Sequence, residues 1–218
     1  MPVNLLKTPN FNVNISNCSH EHQPITYHIG QMSTTLPRRV DNSAYRTTIG
    51  IGASRIKQLA WYGVNIIFFK NPFNVLSSLK VTLLRWFGAR IAQGVVVKPA
   101  VNIKFPWKLT VGEHSWIGEE VWIDNLSEVI IGSHVTLSQG SLLLTGSHDH
   151  SKTSFDFLSS PIVLEDGVWV GARAVVAGGV TCRSHSILGV GSVAEKELEA
   201  YMIYKGNPAV PVLKRVIF

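Results

Sequence analysis

The stretch "VGEHSWIGEEVWIDNLSEVIIGSHVTLSQG", residues 111–140, decides how this chain folds. An aliphatic residue returns at Val111, Ile117 and Ile123, then at Ile131 and Leu137, six positions apart except for one step of eight. The beat runs outward in both directions. It starts at Ile91, Val97 and Ile103, continues to Leu143, and after a gap returns at Leu164, Val170, Val176, Cys182 and Leu188. Position two is often small, as at Ala92, Gly112, Gly118, Gly132, Gly171, Ala177 and Gly189, and position five is often Val, Ser or Ala.

A six-residue period matches neither a helix nor a long alternating strand. It suits a short strand plus a turn, three of which make one triangular coil. The aliphatic residue points into the coil, the small residue after it lets the chain turn, and position five also faces inward. Coils stacked about 4.8 Å apart pair strand on strand and share one core. The expected fold is all-β, a parallel β-helix. The steps of eight, Ile103 to Val111 and Ile123 to Ile131, fall at the same place in successive turns, so their extra residues stack as a ridge along one edge. Periodicity does not give the hand of the coil, and the usual right-handed preference for crossovers misleads here.

The gap itself reads "LLLTGSHDHSKTSFDF" at residues 142–157, and the beat is lost over 148–163. A β-helix is a rigid rod without a pocket, so a loop must leave it to build one. His148 stands where that loop begins.

Composition agrees with a folded chain: hydrophobic content is 45% and charged content only 16%, well away from the disordered class. The formal charge of +6 suits an anionic partner such as nucleic acid, a membrane surface or a phosphorylated cofactor. The sequence has no Cys/His finger spacing, helix-turn-helix pattern or aromatic-plus-basic strand motif, so nucleic acid is not the expected partner. Cys182 occupies a beat position and reads as a small buried hydrophobe rather than a redox partner. The cytoplasm is the default compartment, at the inner face of the membrane if the cap described next touches lipid. The N-terminus shows no signal-peptide pattern, and the longest apolar run, "LAWYGVNIIFF" at 59–69, is about half the length that spans a bilayer.

Four segments follow. Residues 1–55, rich in Asn, Ser, Thr and His with four scattered prolines, read as an irregular arm. Residues 56–90 form a helical cap broken at Asn71-Pro72. With Lys57, Lys70, Lys80 and Arg85 beside Trp and Phe, this cap either shields the open edge of the next domain, the preferred reading, or makes a peripheral membrane contact through residues 56–88. Residues 91–193 are the β-helix with its inserted loop, and residues 194–218 are a C-terminal tail.

The motifs "LLRWFGARI" (83–91), "FPWKLTVGEHSWIGEEVWIDNL" (105–126), "TGSHDH" (145–150), "GVWVGARAVVAGGV" (167–180) and "YKGNPA" (204–209) together resemble the hexapeptide-repeat acyltransferases. Within them the chain is most similar to the colanic acid biosynthesis acetyltransferase branch, relatives of the maltose, galactoside and nodulation-factor O-acetyltransferases. The resemblance covers roughly residues 60–215. It implies a left-handed β-helix, a homotrimer, acetyl-CoA as co-substrate with no metal, and a saccharide or glycan acceptor in exopolysaccharide assembly.

Acetyl transfer from a thioester to a hydroxyl needs a base, a site for the developing oxyanion and a groove for a long thin cofactor. Histidine suits the base because its ordinary pKa lies close to working pH. The resemblance assigns that task to His148. It places Asp149, Asp124 and Asn125 around the acceptor, although each also reads as a turn or coil-corner residue. It runs the pantetheine arm along Trp169, Gly171, Ala172, Ala177, Gly189 and Val190, where small residues are equally what β-helix corners need. Lys196, Lys214 and Arg215 are the candidates for the cofactor phosphates. Val210 departs from the relatives, which carry Arg or Lys after "GNPA". Two other classes stay open. One is a zinc enzyme similar to γ-type carbonic anhydrase, using His114, His134, His148 and His150. The other is a β-helix scaffold without catalysis.

Overall fold

A computed structural model describes residues 39–47 and 50–218. The sequence reading of most of the arm lies outside the described residues.

The chain winds as a left-handed parallel β-helix with three faces. The first face stacks five short strands, Arg90–Ile91, Leu109–Val111, Val129–Ile131, Ile162–Leu164 and Thr181–Cys182. The second stacks Val96–Val97, Trp116–Ile117, Thr136–Leu137, Trp169–Val170 and Ile187–Leu188, and the third Asn102–Ile103, Trp122–Asp124, Leu142–Leu144, Val175–Ala177 and Val193–Ala194. All neighbours within these three stacks are parallel. Every beat residue from Ile91 to Leu188 is buried, and so are the position-five residues Val101, Ser115, Val121, Ser141, Ala174 and Ser186. The period is therefore a burial period, and the core is one column running the length of the stack.

The corners explain the small residues. A Cβ on Gly171 would lie 2.7 Å from the Val190 backbone nitrogen, and one on Gly112 would lie 2.5 Å from the Gly132 carbonyl carbon. Successive coils approach too closely there for any side chain. Two residues on, the chain turns through positive φ at His114 (54°), His134 (56°) and His185 (60°), with Gly94 and Gly167 at the same position in other coils. His114 and His134 stack with ring centroids 5.5 Å apart, and His185 stacks on Tyr201. These histidines are corner residues that tolerate left-handed backbone, packed face to face.

Both ends of the rod are treated differently from what a bare stack would offer. The first coil leaves edge donors and acceptors unpaired, which costs free energy unless something meets them. Helix α1 (Arg55–Val64), the π-helical turn Asn65–Phe69 and helix α2 (Ser77–Trp86) supply the partners. Ser77 Oγ accepts from the Val97 N–H, Lys80 Nζ donates to the Lys98 carbonyl, Arg85 donates to the Ile91 and Ala92 carbonyls, and Trp61 Nε1 donates to the Ile103 carbonyl. Lys80 is fully buried, and burial pulls its amine below the usual lysine value. At the far end, residues 194–218 are more than a tail: Met202–Gly206 and Ala209–Lys214 form an antiparallel hairpin that extends the second face. Its strands, MIYKG and AVPVLK, carry neither the six-residue beat nor a period-two alternation, so no period marked it.

Among the described residues no helix is long and apolar enough to cross a membrane.

Candidate active site

All three irregular steps of the β-helix occur at one corner, between the third face and the first. In the first two coils the extra residues are held by side chains. Asn125, fully buried, accepts from the Phe105 N–H at 2.9 Å and donates to the Phe105 carbonyl at 2.7 Å. Both ends of its amide are used in stacking one corner on the next. The coil-corner reading of Asn125 therefore accounts for all its polar atoms.

In the third coil the chain leaves altogether. Thr145 is pinned by donating to the Asp124 carbonyl and accepting from the Ser127 N–H. The excursion closes where the Ser160 N–H donates to the Thr145 carbonyl at 3.0 Å. It begins at Gly146, two residues before the beat is visibly lost, because Gly146–His148 pair antiparallel with Phe157–Ser159. A two-stranded arm of this kind has no place in a six-residue period.

His148 is the last residue of the outgoing strand and is half-buried. Its ring lies flat on Phe155, with centroids 4.4 Å apart and planes 5° from parallel, and meets the edge of Phe157 at 5.3 Å. Tyr45, from the N-terminal segment, lies 6.1 Å away. His148 Nδ1 is 3.0 Å from the Phe155 carbonyl oxygen. A carbonyl only accepts, so Nδ1 carries the proton, and in the neutral ring Nε2 is left with a bare lone pair. Phe155, Phe157 and Tyr45 were not marked by any sequence signal: aromatic residues in a loop show no period.

Asp149 takes the turn role. Its carboxylate accepts from the N–H and hydroxyl of Ser151 and pairs with Lys152 at 3.4 Å. The Ser151 hydrogen bonds, with Lys152 adding, hold the carboxyl below the usual aspartate range. Asp124 is different. Largely buried beside Lys104, at 2.8 Å, it lines a groove of about 590 Å³ between α1 and the third face, together with Tyr62, Asn65, Lys70, Asn102 and Trp122. Asp124 pairs in register with Leu144 of the next coil, so it stands one coil below the corner from which the His148 arm departs.

Of the cofactor candidates, Gly171, Ala172, Gly189 and Val190 meet at the same corner of adjacent coils, while Ala177 lies on the third face. Trp169 is exposed and donates from Nε1 to the Ser138 hydroxyl, and Val190 is exposed. The Gly171 and Gly189 N–H groups are already taken by the Leu188 and Tyr204 carbonyls, so close coil stacking alone requires these glycines. Ala177 packs against the core, paired in register with Leu144, and Ala172 is half-buried at its corner. Lys196 and Lys214 are exposed. Arg215 is committed, its Nη1 donating to the Gly167 and His185 carbonyls at 2.8 and 3.1 Å. Among the described residues no three His, Cys, Asp or Glu side chains gather as metal ligands would.

No family model matches the chain. Over 165 residues, however, it is 40% identical to WcaF of Escherichia coli strain K12, described as a colanic acid biosynthesis acetyltransferase, covering 76% of this chain and 91% of that protein. The chain belongs to the hexapeptide-repeat acetyltransferases. It is also 25% identical over 130 residues to the galactoside O-acetyltransferase of E. coli K12, covering 58% of this chain and 64% of that one. The fold matches the hexapeptide-repeat acetyltransferase VCA0836 of Vibrio cholerae, solved with acetyl coenzyme A, at a TM-score of 0.66 and 22% identity over 76% of this chain and 92% of that one. The family accounts for the rod.

Proposed function

We propose that this acetyltransferase moves the acetyl group of acetyl-CoA to a saccharide hydroxyl in the assembly of an exopolysaccharide or related glycan, with His148 as the general base. Family membership makes it an acetyl-CoA-dependent acyltransferase. The observation that carries the base assignment is the bond from His148 Nδ1 to the Phe155 carbonyl, which leaves the lone pair on Nε2 of the neutral ring.

In one step Nε2 takes the hydroxyl proton as the oxygen attacks the thioester carbon. The tetrahedral intermediate then expels the CoA sulfur, which receives the proton from the imidazolium. No acyl-enzyme is needed. Cys182 cannot serve as nucleophile: it is fully buried, and burial pushes its thiol up to about 12, so it holds almost no thiolate near neutral pH. Asp124, in its groove, is the side chain that supports acceptor binding. Lys196 and Lys214 meet the cofactor phosphates, and the pantetheine arm lies along Trp169, Ala172 and Val190.

The working form is a homotrimer in the cytoplasm. Trp116 and Trp169, exposed on the second face at 53% and 44%, are large apolar side chains that a neighbouring subunit would cover.

Titration calorimetry with acetyl-CoA and, separately, with CoA tests the reading. Micromolar binding at one site per chain supports it and justifies screening sugars by thiol release. A folded protein that binds neither has lost the family's activity, and the scaffold reading replaces it.

A further inference from the structure

The outer face of the helical cap edges the Asp124 groove through Tyr62 and Lys70, and the rest of it is not used in capping the rod. Helix α1 and the turn after it bury Trp61, Asn65 and Phe69, spaced four apart, against the first coil. The opposite stripe, Ile56, Leu59, Tyr62 and Ile66, is also apolar and is exposed, with Ile56 at 81% and Leu59 at 72%. Phe73 (88%) follows in the turn, and Trp86 (76%) ends α2. A helix apolar on both faces has both faces covered in its working state.

Charge says by what. Residues 42–112 contain ten Lys and Arg and no Asp or Glu, whereas the rest of the chain holds ten Lys and Arg against all fourteen acidic residues. Several of the ten are spent inside the fold, Lys80 and Arg85 on edge carbonyls and Lys104 on Asp124. Arg55 and Lys70 are exposed at the two ends of the apolar stripe, and neither has an acidic partner among the described residues. A second copy presenting the same cap would set like charges against each other. An acid-free helix with aliphatic and aromatic residues on its outer face and cations at its ends has the make-up of a helix that lies in a lipid interface.

We propose that the cap docks on an anionic membrane surface. Ile56, Leu59, Tyr62, Ile66 and Phe73 sit at the headgroup–acyl boundary, and Arg55 and Lys70 meet lipid phosphates. The cap covers the first coil, so the rod stands with that end toward the membrane. The third coil, which bears His148, lies about 10 Å above the first, close enough for a saccharide tethered to the bilayer. In a trimer whose axis runs along the coils, three caps face the same way and bind together. Docking itself does not depend on the acetyl-transfer reading, and its test uses no activity.

The test is flotation of the full chain with vesicles of phosphatidylcholine alone and of phosphatidylcholine mixed with phosphatidylglycerol. Binding is expected to the mixed vesicles only and to weaken as salt rises from ~0.1 to ~1 M, where screening shortens from about 10 to 3 Å. Ile56→Glu with Phe73→Glu should cut partition at least tenfold. Arg55→Gln and Lys70→Gln should each cost about fivefold. Melting temperature and solution mass report that each variant stays folded and assembled. Failure to bind the mixed vesicles, salt-insensitive binding to both kinds, or wild-type partition by the Glu variant would each overturn the proposal. A Glu variant of reduced mass, from a wild type that ignores vesicles, would make the face a contact between copies instead.

Discussion

Replacing His148 with alanine tests the site most directly, because the structure says what else changes. The ring is half-buried in a surface arm, and among the described residues its only hydrogen bond is from Nδ1 to the Phe155 carbonyl. The arm keeps its strand pairing and the Ser160-to-Thr145 closure, so fold and assembly should be retained. Turnover should fall by 10²–10⁴, the usual worth of a positioned base, or about 3–5 kcal/mol of transition-state stabilisation. His148→Asn can still donate to the Phe155 carbonyl but has no base, and should be equally slow. Phe155→Ala keeps the base and removes the ring beneath it. Stacking of this kind is worth about 0.5–1.5 kcal/mol, so that variant should lose only about two- to twelvefold. Release of free CoA thiol is the assay. A folded His148→Ala with wild-type turnover refutes the assignment.

Gly171→Ala should cost about 1–3 kcal/mol, lowering the melting temperature by roughly 3–10 °C, because its Cβ would meet the backbone of Val190 and Gly189 at 2.7 and 2.8 Å. Where the protein still folds, the KM for acetyl-CoA should change little. Lys196→Ala should raise that KM about tenfold at nearly constant kcat, since a phosphate contact stabilises ground and transition states alike. Arg215→Ala should instead lower the melting temperature, as its guanidinium holds the C-terminal strand to two corner carbonyls. Glu165 is held below the ordinary glutamate value of 4.5 by hydrogen bonds from Ser184, with Arg183 adding. A lowered folded pKa contributes stability that is complete above the unfolded value and is lost as pH falls through the folded one. Thermal melts of Glu165→Gln should therefore lose less stability than wild type below about pH 4.5, and an identical decline would remove Glu165 from the acid response.

By itself the sequence determined the rod. Ile117, Leu137 and Val170 recur because each coil repeats the environment of the one before, so a local period and a tertiary contact are the same fact. For the same reason the place where the period fails marked the outgoing loop and put His148 at its mouth. Only the tertiary structure decided what His148 can do there. Its neighbours Phe155, Phe157 and Tyr45 come from the returning strand and from a segment more than a hundred residues earlier, and contacts that do not repeat leave no period. The structure likewise separated Asp124, which faces a groove, from Asn125, whose amide is fully used in the corner; adjacent residues on a tight turn point in different directions. It also revealed that the cap seals the rod through Trp61, Ser77, Lys80 and Arg85. Those bonds join side chains to backbone atoms of the first coil, and backbone atoms are the same in every sequence.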